Sequence, residues 1–426
     1  MMRPRRNRAV VLVVVLWIVI LLSLMAYSLL FLVGTETMIS STRKKLFKAE
    51  ALARAGLAKG LVDLRNDMIF DNAKDAKIFD AEGDVWARPE EDKDQVELGR
   101  REDGTFSVRI YDEEGLINLN RISAGNMLLM QKILERVGYE EEDAKDVAAA
   151  IADYRDPDAT PARQNAPSQA EGYAYAMLSQ DADGEAGLEE EDVTPVLFRN
   201  EDFVSVEELL EVWGVTPEAY FGPDSPEAIE YRARIGPATT DRFAIKEKRR
   251  GRRDDEPIIG LKDFFTVHGS GILNLNTAPE HVLAAYAEGA GNTDGDAWAE
   301  RVIRTRRGGK DEDIDNGSAF KDTSELNANG EIASVAAAGS SLLPYGLSSS
   351  TFTIVSEGQV GDVRFRLKAL VARQMGVFLR DEDFEAVERS QERRERNSRR
   401  FERRQDRENT LQVRYPIVRI LQTTQD

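Results

Sequence analysis

The chain has 426 residues, no cysteine and only two histidines, which excludes disulfides, thiolate-held metals and any multi-histidine centre. Its 57 Lys and Arg against 76 Asp and Glu leave a net charge of −19, the wrong sign for a protein whose main partner is nucleic acid. A 42% apolar content supplies a real core, and the length predicts roughly two or three domains.

The first element is a membrane helix. Ala9 to Val33 carries no charge, and about 20 apolar residues suffice to span a bilayer. Arg3, Arg5, Arg6 and Arg8 precede it, so the short leader is expected in the cytoplasm and the rest of the chain across the membrane. The run is longer than the apolar part of a secretory signal, which predicts a retained anchor. No turn signal follows it. Met38, Leu46, Leu52, Leu57, Leu61, Leu64 and Met68 recur mostly at helical spacings among alanines, which predicts one helix from about Val10 to Met68, with a break at Gly34 as the alternative.

Phe106, Val108 and Ile110 then alternate with polar residues, as in a half-buried strand. A hairpin is expected from Ser349 to Arg373, with Gly358 and Gly361 between its arms. A last strand is expected from Leu411 to Leu421, confined to an edge by Pro416. One strand before and three after about 230 mostly helical residues predict an α+β fold: the long helix packed on a small antiparallel sheet, with a helical domain inserted in it.

The insert repeats itself. GLINLN at Gly115 returns as GILNLN at Gly271; each is followed by two helices and closes with Phe, four residues, Glu-Leu, at Phe203 and Phe320. Two helix-hairpin-helix-like units are expected, at 115–222 and 260–345. Asn118, Asn120, Asn274 and Asn276 should hold turns and cap the next helices. Such hairpins often grip DNA phosphates, which makes a membrane-anchored DNA-uptake protein the competing reading. Against it, RVGYEEED and EGAGNTDGDAW are acidic and lack a basic rim, so no nucleic-acid partner is expected. No hydrolase motif occurs, and no enzyme activity or catalytic residue is expected.

Three acidic clusters are oxygen-rich enough to suit calcium: Asp181, Asp183 and Glu185; Asn292, Asp294 and Asp296; and Asp153, Asp156 and Asp158. The first two place Gly too early for an EF-hand, and solvated loops are the alternative. From Arg380 to Glu408, ten arginines and ten acids read as a solvated charged helix.

RAVVLVVVLWIVILLSLMAYS, DEEGLINLN, AAAIADYRDPD, EGYAY, NEDFVSVEELLEVWG, LKDFFTVHGSGILNLNTAPEHVL and TIVSEGQVGDVRFRLKALVAR, in that order, resemble the minor pseudopilin K family of type II secretion systems. The tail Gln374–Asn409 and the acidic insert at Asp181 depart from it. The resemblance implies a pilin-like fold divided into a leader (1–9), a membrane helix (10–33), the rest of the helix and first strand (34–114), the insert (115–345), returning strands (346–376), a charged tail (377–409) and a final strand (410–426). It implies cleavage by a prepilin peptidase between Ala9 and Val10, and an inner-membrane protein with a periplasmic domain. Val14 then stands where most pilins carry Glu, which implies a place at the filament tip. Implied partners are other minor pseudopilins, the inner-membrane assembly platform and secreted cargo. Leu46, Leu52 and Leu57 are the expected assembly stripe. The family also lends support to bound calcium.

Overall fold

The computed structural model describes residues 6–74, 78–87, 96–97, 104–169, 171–181, 194–223, 225–235, 243, 245, 258–308, 319–340, 342–378 and 413–425. Helix α1 (Arg6–Lys74) is one unbroken element of 69 residues, about 100 Å long. Gly34 does not interrupt it: a membrane helix satisfies its backbone internally, and nothing lies within 4 Å of the Gly34 Cβ position to force a bend.

The upper part of α1 lies on a five-stranded antiparallel sheet. Its strands are β1 (Val96–Glu97) and β2 (Thr105–Asp112), then, after the insert, β7 (Thr351–Val360), β8 (Val363–Phe378) and β9 (Val413–Gln425), in spatial order 1-2-7-8-9. As Pro416 requires, β9 is an edge. Phe106 pairs with Gly358 and Ile110 with Ile354; Phe352 and Ile354 sit on the same face and bury against Ala53, Leu57 and Leu64 of α1. Gly358 lies inside β7 rather than at the turn. A Cβ there would strike the Ala49 carbonyl, so helix and strand approach as backbones. The turn belongs to Gly361, whose φ of 62° favours glycine.

The insert holds β3 (Ile117–Asn118), α2 (Met127–Val137), α3 (Glu141–Arg155), α4 (Glu171–Asp181), α5 (Pro217–Phe221) and α6 (Pro226–Ile235) in its first unit. The second follows β4 (Phe265–Thr266) with β5 (Leu273–Asn274), α7 (Glu280–Gly289), α8 (Gly295–Arg306), α9 (Thr323–Ala328), α10 (Gly330–Gly339) and β6 (Tyr345–Gly346). β3 pairs in parallel with β4, and β5 with β6, so each unit is closed by the segment that leads into the next. Both share one hydrophobic core, in which Leu129 and Ile133 of α2 join Val282 and Tyr286 of α7. The charged tail expected at 377–409 lies outside the described residues beyond Phe378.

Candidate assembly surface and domain seam

From Val10 to Val33 every described side chain of α1 is exposed or half-exposed, although nearly all are apolar. Water does not tolerate an apolar cylinder of that length; a bilayer does. Val10 and Val14 both lie on this exposed stretch. Ala9 lies within α1, but its side chain is outside what is described.

Above the membrane segment the three expected assembly leucines divide. Leu46 is 43% exposed, but Leu52 and Leu57 are each 8% exposed and pack into the protein's own helix–sheet core. The stripe of Leu52 and Leu57 is therefore spent within the chain, because the sheet reaches down as far as Ala49. Among the described residues of α1 beyond Val33, the large apolar side chains left open are Met38, Ile39, Leu46, Phe47 and Val62. Sequence periodicity finds the apolar residues but not the height at which the sheet begins. Lys45, one turn below Ala49, reaches the β7–β8 turn and pairs with Asp362 at 2.6 Å.

The repeated asparagines act as a bracket. Asn118 and Asn274 each accept the backbone N–H two residues on, at 2.9 and 3.0 Å, and fix the turn. Asn120 and Asn276 do not cap the next helices, as expected from the sequence. Each grips one distant peptide instead: Asn120 accepts from Phe203 N and donates to Phe203 O, and Asn276 does the same with Phe320. The Glu four residues after the peptide's next neighbour folds back in both units, Glu208 to Val204 N and Glu325 to Lys321 N. The last turn of each second helix adds an arginine, which donates to Asn120 O and Ile122 O from Arg155, and to Leu275 O and Ala278 O from Arg306. These arginines were not singled out by sequence; their matching positions after the repeated helix were the available signal.

The seam between the two domains is the segment 78–87. Arg373 of β8, fully buried, donates to Asp67 of α1 at 3.1 Å and to Asp80. Asp80 also accepts from Ser349 N at 2.7 Å, and its carbonyl accepts from Asn274. Glu82 pairs with Arg306 and Arg307, and Trp86 packs edge-on against Phe352. At the head of β2, Asp112 accepts from Ser349 Oγ at 2.6 Å and from Thr277, while Glu114 accepts from Ser350 and Ser270 N. Burial pushes the Asp112 carboxyl up to about 7, against the pull of those hydroxyls, and pushes Asp80 up as well. Sequence reasoning did not find this network, because its members lie far apart along the chain.

The described members of the candidate calcium clusters are each engaged by other groups of the protein. Asn292 accepts from Asp294 N, Asp294 caps α8 through Ala297 N, and Asp296 pairs with Arg136 at 2.9 Å. Their oxygens serve three separate partners and do not converge. Asp153 accepts from Ala162 N and Tyr175, while Asp156 and Asp158 each accept a local backbone N–H. Asp67, Asp80 and Asp84 do gather their carboxylates, but the Arg373 guanidinium already supplies the positive charge. Asp183 and Glu185 lie outside the described residues, as does the Asp181 side chain. The hairpin between α2 and α3 leads into Glu141, Glu142 and Asp143, and the nearby Lys132, Arg136 and Lys145 are each paired with a carboxylate.

A chain of the solved structure titled "The Crystal Structure of the GspK-GspI-GspJ complex from enterotoxigenic Escherichia coli Type 2 Secretion System" is 12% identical, with a TM-score of 0.48, over 79% of this chain and 94% of that one. No curated protein matches the chain. The profile of the family described as type II secretion system (T2SS), protein K, matches residues 115–221, from the first repeated Gly-Leu-Ile-Asn-Leu-Asn to the end of α5. Over that first unit of its inserted domain, the chain is similar to the type II secretion system protein K family.

Proposed function

We propose that the protein is a minor pseudopilin K, anchored in the inner membrane with its folded domain in the periplasm, that sits at the tip of a type II secretion pseudopilus. The observation that carries this reading is one continuous helix, exposed and apolar through 10–33 and still apolar at Met38, Ile39, Leu46 and Phe47, that rises into a domain carrying the protein K unit. Other minor pseudopilins are the partners that would cover those side chains in a bundle of like helices. Prepilin peptidase would cut between Ala9 and Val10. With Val14 in place of a carboxylate, the mature helix offers no partner to a neighbour's N-terminal ammonium, which suits the topmost subunit. The bulk of the insert beside the sheet supports the same place, and secreted cargo and the assembly platform are met from there.

Co-purification of the full chain with the minor pseudopilins encoded beside it tests this. Substituting Leu46→Glu and Phe47→Glu together should abolish co-purification and secretion with little change in melting temperature. Leu57→Ala, in the chain's own core, should instead cost about 2–5 kcal/mol of stability. Intact assembly with the exposed pair charged rejects the helix-bundle reading. N-terminal sequencing of the membrane-bound form checks the start at Val10.

A further inference from the structure

The outer face of the sheet, turned away from α1, carries a charge opposite to that of the whole molecule. Register places Arg109 beside Val355 and Lys368, Ser107 beside Glu357 and Arg366, and Gln359 beside Arg364. Four cations, Arg109, Arg364, Arg366 and Lys368, thus stand exposed on one face. Glu357 is shared between Arg364 at 3.7 Å and Arg366 at 3.2 Å, so one carboxylate answers two guanidiniums. Like charges on neighbouring positions of a sheet face cost stability, and in a chain at −19 this concentration is against the trend. The face is also concave. A depression of about 660 Å³ has the strands as its floor, with Tyr111 and Val355 between the cations and Leu116 of the insert beside it; two carboxylates also line it, Glu357 and Glu113, the latter held by the Thr266 and Thr353 hydroxyls.

From this geometry we infer a docking surface for an acidic polypeptide segment of a protein partner, held by carboxylate-to-guanidinium contacts around Tyr111. Two other anionic surfaces suit it less. Gly56 and Gly60 of α1, which back Ser356 and Ile354 on either side of Val355, lie about 35–40 Å along the helix from Val33. That is several times the screening length of about 8 Å, so lipid headgroups are out of reach. A long nucleic-acid polyanion would extend beyond the depression over an acidic protein, whereas a short acidic segment ends within it. Because the surface lies across the sheet from α1, it acts independently of the helix bundle of the proposed function, and the two readings fail separately.

Fluorescence anisotropy of a labelled decaglutamate peptide with the full chain in zwitterionic nanodiscs tests the inference. Binding should weaken steeply with salt. The triple change Arg109→Gln, Arg366→Gln and Lys368→Gln should weaken it by about tenfold or more. Glu357→Gln, which frees two guanidiniums from their internal competitor, should tighten it several-fold, and this arm holds even if the triple variant folds poorly. A single-stranded decanucleotide should bind more weakly than the peptide. Failure of decaglutamate to bind, equal binding by the triple variant, or tighter binding of the oligonucleotide each overturns it.

Discussion

The two units of the insert are built on the same bracket but in different surroundings. In the first, Asn120 is half-buried, and Arg155 leans toward Asp202, which is exposed. In the second, Asn276 is fully buried, and Arg306, equally enclosed, pairs with Glu82 of the seam. The first unit can reach water when a hydrogen bond is lost. The second is pressed against the helix–sheet domain and cannot, so the same contact removed there leaves a buried donor or acceptor without any partner. The repeat thus supplies one geometry with two energetic roles: a surface unit that holds itself, and a seam unit that also fixes the insert to the anchor helix through 78–87.

The largest effect expected from this contrast is at the seam itself. Arg373→Met should destabilise the protein by about 3–5 kcal/mol, because Asp67 and Asp80 then stay buried without their cation. Chemical denaturation measures the loss, and adding Asp80→Leu should recover part of it. A cost under about 1 kcal/mol would mean that the seam is open to water.

Next, Asn276→Ala should cost about 2–3 kcal/mol, since it strands both polar groups of the Phe320 peptide, against about 1 kcal/mol for Asn120→Ala. Equal losses would break the distinction between the units.

Different in kind is the proton dependence of Asp112, which is read as a slope with pH. Its carboxyl is raised from 3.8 to about 7 by burial, so the folded state binds the proton more tightly than the unfolded one. This contribution to stability is fully present below about pH 4 and is lost as pH rises through about 7. Asp112→Asn should flatten the corresponding slope in melting temperature; an unchanged slope would assign it to other groups.

The least effect is expected at the surface. Asp296→Asn removes an exposed partner of Arg136 and should change stability by less than about 1 kcal/mol. Any calcium-dependent rise in melting temperature should survive it, since Asp296 is committed to that ion pair rather than to a shared centre.

Local pattern was enough to specify several features by itself. An uncharged run after Ala9 is long and apolar enough to cross a membrane as a helix, alternation at Phe106 to Ile110 reads as a half-buried strand, and Pro416 suits a sheet edge, because each follows from the pattern of a single segment. The repeat was legible for the same reason: both brackets use residues at equal spacing within each motif. Tertiary structure alone decided what the apolar and charged residues face. Leu46 is open while Leu52 and Leu57 are enclosed because the sheet covers the helix only from about Ala49 onward, and helical periodicity carries no information about that height. Arg373, Asp67 and Asp80 look like ordinary surface charges in the sequence. They form the buried seam only because a helix end, the segment just after it and a strand about 300 residues further along the chain converge where water is excluded.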